Sequence, residues 1–227
     1  MISERIGTWV RGYLLGLGHL LGGWGISPNV LTVIGLVLNA AVASVIATGH
    51  PRLGGAFLLV ASAFDMLDGA VARATGATSR FGGFLDSTLD RYSEALVYFG
   101  LLIYLLGTND DRLGALLIFV TVVGALLISY ARARAEAAGF KASVGLVARP
   151  ERVILLAICL LIGRPLWALW ILAVATHVTA LTRIIHVWRL SRAEPPAPAP
   201  AMPISAPPGA LGQRRNGQAK RHERRHR

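Results

Sequence analysis

Four carboxylates stand in two pairs in the middle of an apolar chain. Asp65 and Asp68 are three residues apart, and Asp86 and Asp90 are four apart. On a helix, either spacing puts both members of a pair on one face. Gly69 and Gly82 lie beside the pairs, where a small residue allows close backbone approach. An ionised acid at mid-membrane depth costs about 2.5–3.5 kcal/mol on insertion scales, so four unpaired acids would cost on the order of 10 kcal/mol. That is comparable to the stability of a whole domain. Salt bridges to Arg73, Arg80 and Arg91 are one remedy. Divalent cations are the better one. Carboxylate oxygens are hard donors that suit Mg²⁺, with Mn²⁺ as the alternative. Two such ions can clamp a diphosphate and neutralise its leaving group.

The chain around these acids reads as a helical membrane protein. It has 227 residues, 54% of them hydrophobic and only 15% charged. Its mean hydropathy is +0.54. These values are too apolar for an ordinary soluble fold. The single cysteine, Cys159, excludes a disulfide framework and a cysteine-based zinc site. The net charge of +11 reads as basic segments facing anionic lipid, with no nucleic-acid partner. The N-terminus, M-I-S-E-R-I-G-T-W-V-R, is amphipathic and does not resemble a cleavable signal peptide.

The expected architecture is all-α: six transmembrane helices preceded by an amphipathic surface helix. Residues 1–27 form the juxtamembrane segment, with the surface helix over 2–22. Residues 28–192 form the bundle. Residues 193–227 hold seven of the eleven prolines and a run of basic residues, and are expected to be a disordered tail. Ser27-Pro28 should start the first span, with serine as cap and proline in the first turn. The uncharged runs 53–64, 95–106 and 153–162 are each shorter than the ~20 residues needed to cross a bilayer. The second and third helices must therefore extend through the acids. The short loop 74–80 then brings the two pairs face to face. Gly35, Gly100 and Gly124 should allow close helix packing, and Asn39 should hydrogen-bond between helices.

Six spans put both termini on one side. Loops on the other side carry only Arg52, Arg112 and Arg164, against twenty of the 23 lysines and arginines on the side of the termini. The positive-inside rule makes that basic side cytoplasmic. The expected location is the cell membrane, multi-pass, and the acids lie on its cytoplasmic side.

The spacing D-x2-D-G-x2-A-R-x8-G-x3-D-x3-D runs through Asp65, Asp68, Gly69, Ala72, Arg73, Gly82, Asp86 and Asp90. It resembles the signature of CDP-alcohol phosphotransferases, and the resemblance extends over about residues 20–190. It implies a CDP-linked lipid donor such as CDP-diacylglycerol, two Mg²⁺ ions, release of CMP, and a homodimer. By position, Asp65 and Asp86 would bridge both ions, while Asp68 and Asp90 would each hold one. Asp90 would also be the general base. Gly69, Arg73 and Ser79 would contact the cytidine diphosphate, as would the start of the first span, Asn29, Val30, Leu31 and Thr32.

S-Y-A-R-A-R-A-E at 129–136 and A-R-P-E-R at 148–152 resemble the phosphatidylinositol phosphate synthase branch of that family. The resemblance implies inositol 1-phosphate as acceptor, its phosphate bound by basic residues here. The candidates are Arg132, Arg134, Arg149 and Arg152. Arg149 and Arg152 share a face of a first helical turn, where exposed N–H groups also favour an anion. The same chemistry on glycerol 3-phosphate or another phosphorylated polyol, or with an archaeal ether-lipid donor, is the close alternative. A membrane prenyltransferase or a cation transporter is more remote, because D-G-x2-A-R and R-P-E-R have no natural role in either.

Overall fold

The computed structural model describes residues 27–76 and 79–193, with the side chains of Met66 and Asp68 excepted. The expected surface helix over 2–22 and the tail beyond Ala193 lie outside the described residues. Six helices follow in order: α1 (Pro28–Ala47), α2 (Pro51–Thr75), α3 (Arg80–Leu106), α4 (Asp111–Ala137), α5 (Arg149–Leu161) and α6 (Pro165–Ala193). No strand occurs among the described residues. Of the described residues, those up to Arg189 belong to one compact unit, which holds the site discussed below.

Local chemistry sets the helix ends. Ser27 is extended, and its Oγ accepts the Val30 N–H at 3.4 Å, with Pro28 opening α1. Gly76 closes α2 at φ 66°, a left-handed conformation that favours glycine. Ser79 starts α3 by accepting the Gly82 N–H at 2.9 Å. Glu151 folds back onto the Ala148 N–H at 2.9 Å and holds the first turn of α5.

The helices pack α1 on α2 and α3, α2 on α5, and α3 on α4. At Gly100 a Cβ would strike the backbone of Ala43, so α1 and α3 touch main chain to main chain there. Gly124 leaves the same room for Thr176 of α6. The apolar core lies at the end of the bundle away from the acids, around Ile46, Leu101, Leu160, Leu169 and Leu172. Large apolar side chains such as Val60, Phe99, Phe119 and Val174 face outward, as lipid-facing residues do. Asn39, expected to bond between helices, donates Nδ2 to Gly35 O of its own helix at 2.9 Å.

Among the described residues, four helices are long and apolar enough to cross a membrane: α1, α2, α4 and α6. The chain is thus a multi-pass membrane protein by composition and helix length. α3 falls short because Arg80, Asp86, Asp90, Arg91 and Glu94 crowd its first half. α5 falls short in length: its 13 residues reach only about 20 Å.

Candidate active site

The last turns of α2 and the first half of α3 carry the acids to the same end of the bundle. Asp65 packs against α1, where Gly35 makes room for it: a Cβ there would stand 2.5 Å from Asp65 Oδ1. One guanidinium joins the two helices. Arg149, the first residue of α5, donates from Nη2 to Asp65 Oδ2 and from Nη1 to Asp90 Oδ1, each at 2.8 Å. Its Nε is buried without a hydrogen-bond partner among the described residues. Arg149 is therefore held by the two acids and by the turn it sits on.

One turn along α3 from Asp90, Glu94 takes Arg152 in a two-bond fork, Nε to Oε1 at 2.8 Å and Nη2 to Oε2 at 2.7 Å. The pair is buried, with side-chain exposures of 3% for Arg152 and 12% for Glu94. Arg183 of α6 is also buried. It donates from Nε to Val144 O at 2.9 Å and from Nη1 to Ile128 O at 2.7 Å, which ties α6 to α4 and to the loop before α5. Arg91 donates from Nη1 to Ser87 O. Together Arg91, Arg132, Arg149, Arg152 and Arg183 line a cavity of about 100 Å³ beside Asp90.

Two further spaces adjoin the acids. A cavity of about 200 Å³ is lined by Asn29, Thr32, Gly69, Arg73, Ser79 and Asp86. Gly69 has no Cβ to crowd the Arg73 guanidinium, which would lie 3.2 Å from one. A wider groove of about 980 Å³ between α3 and α4 is lined by Asp86, Asp90 and Arg132 and by apolar Phe84, Tyr92 and Leu126.

Most of the residues singled out in the sequence thus meet at one end of the bundle. Val30 and Leu31 do not line the 200 Å³ cavity: Val30 is exposed and Leu31 is buried in the core. Arg134 is exposed and lines none of these spaces. Arg132 is half-exposed and pairs with Glu136 at 2.8 Å, one turn on. Glu94 and Arg183 went unremarked in the sequence. Arg183 had a signal: a lone arginine in an apolar span must face the bundle interior.

Among the described residues, no three acid, histidine or cysteine side chains converge as a closed metal cage. The donor set still fits a hard divalent cation. Asp65, Asp86 and Asp90 offer only carboxylate oxygens, from two helices that one guanidinium can span. Any cation there would share Asp65 and Asp90 with Arg149.

Comparison with known proteins agrees with this geometry. Residues 25–188 match the family model for CDP-alcohol phosphatidyltransferase. The chain is 37% identical over 182 residues to archaetidylinositol phosphate synthase of Pyrococcus horikoshii, covering 80% of this chain and 94% of that one. It is 39% identical over 178 residues to phosphatidylinositol phosphate synthase of Mycobacteroides abscessus, covering 74% and 79% respectively. The crystal structure of Mycobacterium tuberculosis phosphatidylinositol phosphate synthase with CDP-DAG bound superposes with a TM-score of 0.72 at 32% identity, covering 77% of this chain and 93% of that one. The same enzyme in complex with manganese and citrate superposes equally well, with a TM-score of 0.72, 32% identity, and coverage of 77% and 88%. This chain is an enzyme of the CDP-alcohol phosphatidyltransferase family.

Proposed function

We propose that this enzyme transfers the phosphatidyl group of CDP-diacylglycerol to inositol 1-phosphate, giving phosphatidylinositol phosphate and CMP. One observation carries the acceptor: arginines from four helices line a small cavity beside Asp90. A phosphate dianion with a free hydroxyl suits such a place, because guanidinium forks match phosphate oxygens. The relatives support the same reading. Their names share inositol phosphate and differ in the lipid.

The roles follow from position. Asn29, Thr32, Gly69, Arg73 and Ser79 hold the cytidine diphosphate in the cavity they line. The groove between α3 and α4, acidic at Asp86 and Asp90 and apolar at Phe84 and Leu126, suits a charged lipid. Arg132, Arg149 and Arg152 bind the acceptor phosphate, and Arg183 closes the same cavity. Asp90, beside that cavity, accepts the proton of the attacking hydroxyl. The hydroxyl oxygen bonds to the β-phosphorus, and the bond from that phosphorus to the CMP oxygen breaks. Two Mg²⁺ ions, or Mn²⁺, held by Asp65, Asp68, Asp86 and Asp90, would supply positive charge for the diphosphate and the departing CMP. The six-helix bundle sits in the membrane as a homodimer, with α5 crossing only part of its depth and with the acids and both termini on the cytoplasmic side.

The test is CMP release by the purified protein with Mg²⁺. CDP-diacylglycerol or CDP-archaeol serves as donor. Inositol 1-phosphate, inositol or glycerol 3-phosphate serves as acceptor. The archaetidyl relative makes the ether-lipid donor the second reading. Preference for inositol 1-phosphate over inositol is expected. Preference for glycerol 3-phosphate would refute the acceptor, and no CMP with any pair would refute the reaction.

A further inference from the structure

Glu94 continues the stripe of Asp86 and Asp90 along α3, one turn further in, yet it lies outside the D-x2-D-G-x2-A-R-x8-G-x3-D-x3-D spacing. Its carboxylate is committed to Arg152 through both oxygens. Arg152 follows Arg149 by three residues on the first turns of α5, so whatever fixes one guanidinium fixes the turn that carries the other. Arg149 is held at its tip by Asp65 and Asp90, each at 2.8 Å, but its Nε is buried without a partner among the described residues, so the backbone turn that Arg152 shares is its remaining support. Stability alone does not account for such a pair. Well-packed apolar residues in place of a buried ion pair are often neutral or stabilising. What the pair supplies is a fixed distance and angle between α3 and the start of α5.

We propose that Glu94 is a positioning residue: by forking Arg152 it sets the first turn of α5, and so aims Arg149 and Arg152 at the acceptor cavity beside Asp90. The proposal rests on reading that cavity as the acceptor-phosphate site.

The test separates the Michaelis constants of the two substrates in the full-length protein. Glu94→Gln keeps the size and removes the charge. The expected result is a rise of about tenfold or more in KM for the phosphorylated acceptor, with KM for the CDP-lipid within about twofold of wild type. Glu94→Asp, which keeps the carboxylate, recovers most of the difference. A merely structural role predicts something else: less folded enzyme, hence a lower maximal rate, with both KM values unchanged. That outcome overturns the proposal, as does an equal rise in both. Should Glu94→Gln fail to fold, Glu94→Met serves instead, because it keeps the length of the side chain and loses the fork. The same split is expected, and an unchanged acceptor KM again overturns the proposal. The acceptor used is whichever one the wild-type protein turns over. A flat result with inositol 1-phosphate as a working substrate therefore sinks this proposal alone. Turnover of another acceptor sinks the inositol reading alone.

Discussion

Replacing Gly35 by alanine sets stability and activity against each other. A Cβ at this position would stand 2.5 Å from Asp65 Oδ1, where real Cβ contacts begin at 3.0 Å and become ordinary at 3.4 Å. The oxygen must therefore retreat by 0.5 to 0.9 Å, the differences between those distances. It cannot simply swing aside, because Oδ2 of the same carboxylate is bonded to Arg149 at 2.8 Å. Misplacement of a reacting group by about 1 Å can cost about 100-fold in rate. CMP release should thus fall by about 10- to 100-fold, or about 1.4–2.7 kcal/mol of barrier. Stability should not fall with it. Alanine is better than glycine inside a helix by about 1 kcal/mol, and the atom that moves is the tip of a side chain. The assays are CMP release per folded protein, thermal unfolding in detergent, and Mn²⁺ affinity by titration. Full activity with unchanged Mn²⁺ binding would refute the idea that Gly35 shapes the site. So would a large loss of stability with normal activity per folded molecule.

Two further outcomes follow from the geometry. Asp86→Asn should leave the protein folded but lower CMP release by about 100-fold or more and weaken Mn²⁺ binding in a direct titration; a fully active variant would exclude the carboxylate mechanism. Thr179→Val should lower the thermal stability by about 1–3 kcal/mol, because the buried Thr179 Oγ1 accepts from Leu146 N and Val147 N, each at 3.3 Å. Unchanged unfolding would show that this hydroxyl does not pin the loop before α5.

What the sequence displayed was mostly local. The start of α1 at Ser27-Pro28 and the α2–α3 turn near Ser79 are matters of caps and short-range hydrogen bonds. The shared faces of the acid pairs follow from helical repeat alone. Even the need for α2 and α3 to run through their acids followed from counting apolar residues against the membrane's thickness. The pairings between distant helices were not legible. Glu94 and Arg152 are 58 residues apart, and no spacing rule links them. Arg149 and Asp65 are 84 apart. Four arginines with the same local pattern thus came to different environments: Arg134 exposed, Arg132 half-exposed beside Glu136, Arg149 across two acids, and Arg152 buried on Glu94. Only packing sorts residues that local chemistry leaves equivalent.

The shortness of α5 bears on how two unlike reactants can meet. At 13 residues it covers about two thirds of a ~30 Å hydrocarbon slab. If its Leu161 end reaches one face, its charged start stops well below the other. The arginine-lined cavity beside Asp90 lies at that charged start. On the proposed reading, a sugar phosphate, too polar for oil, would enter there from the aqueous phase. On the same reading, the groove between α3 and α4 would take the nucleotide lipid from the side of the bilayer. Each partner would then keep its own solvent until the moment of transfer, with the truncated helix at the border between the two.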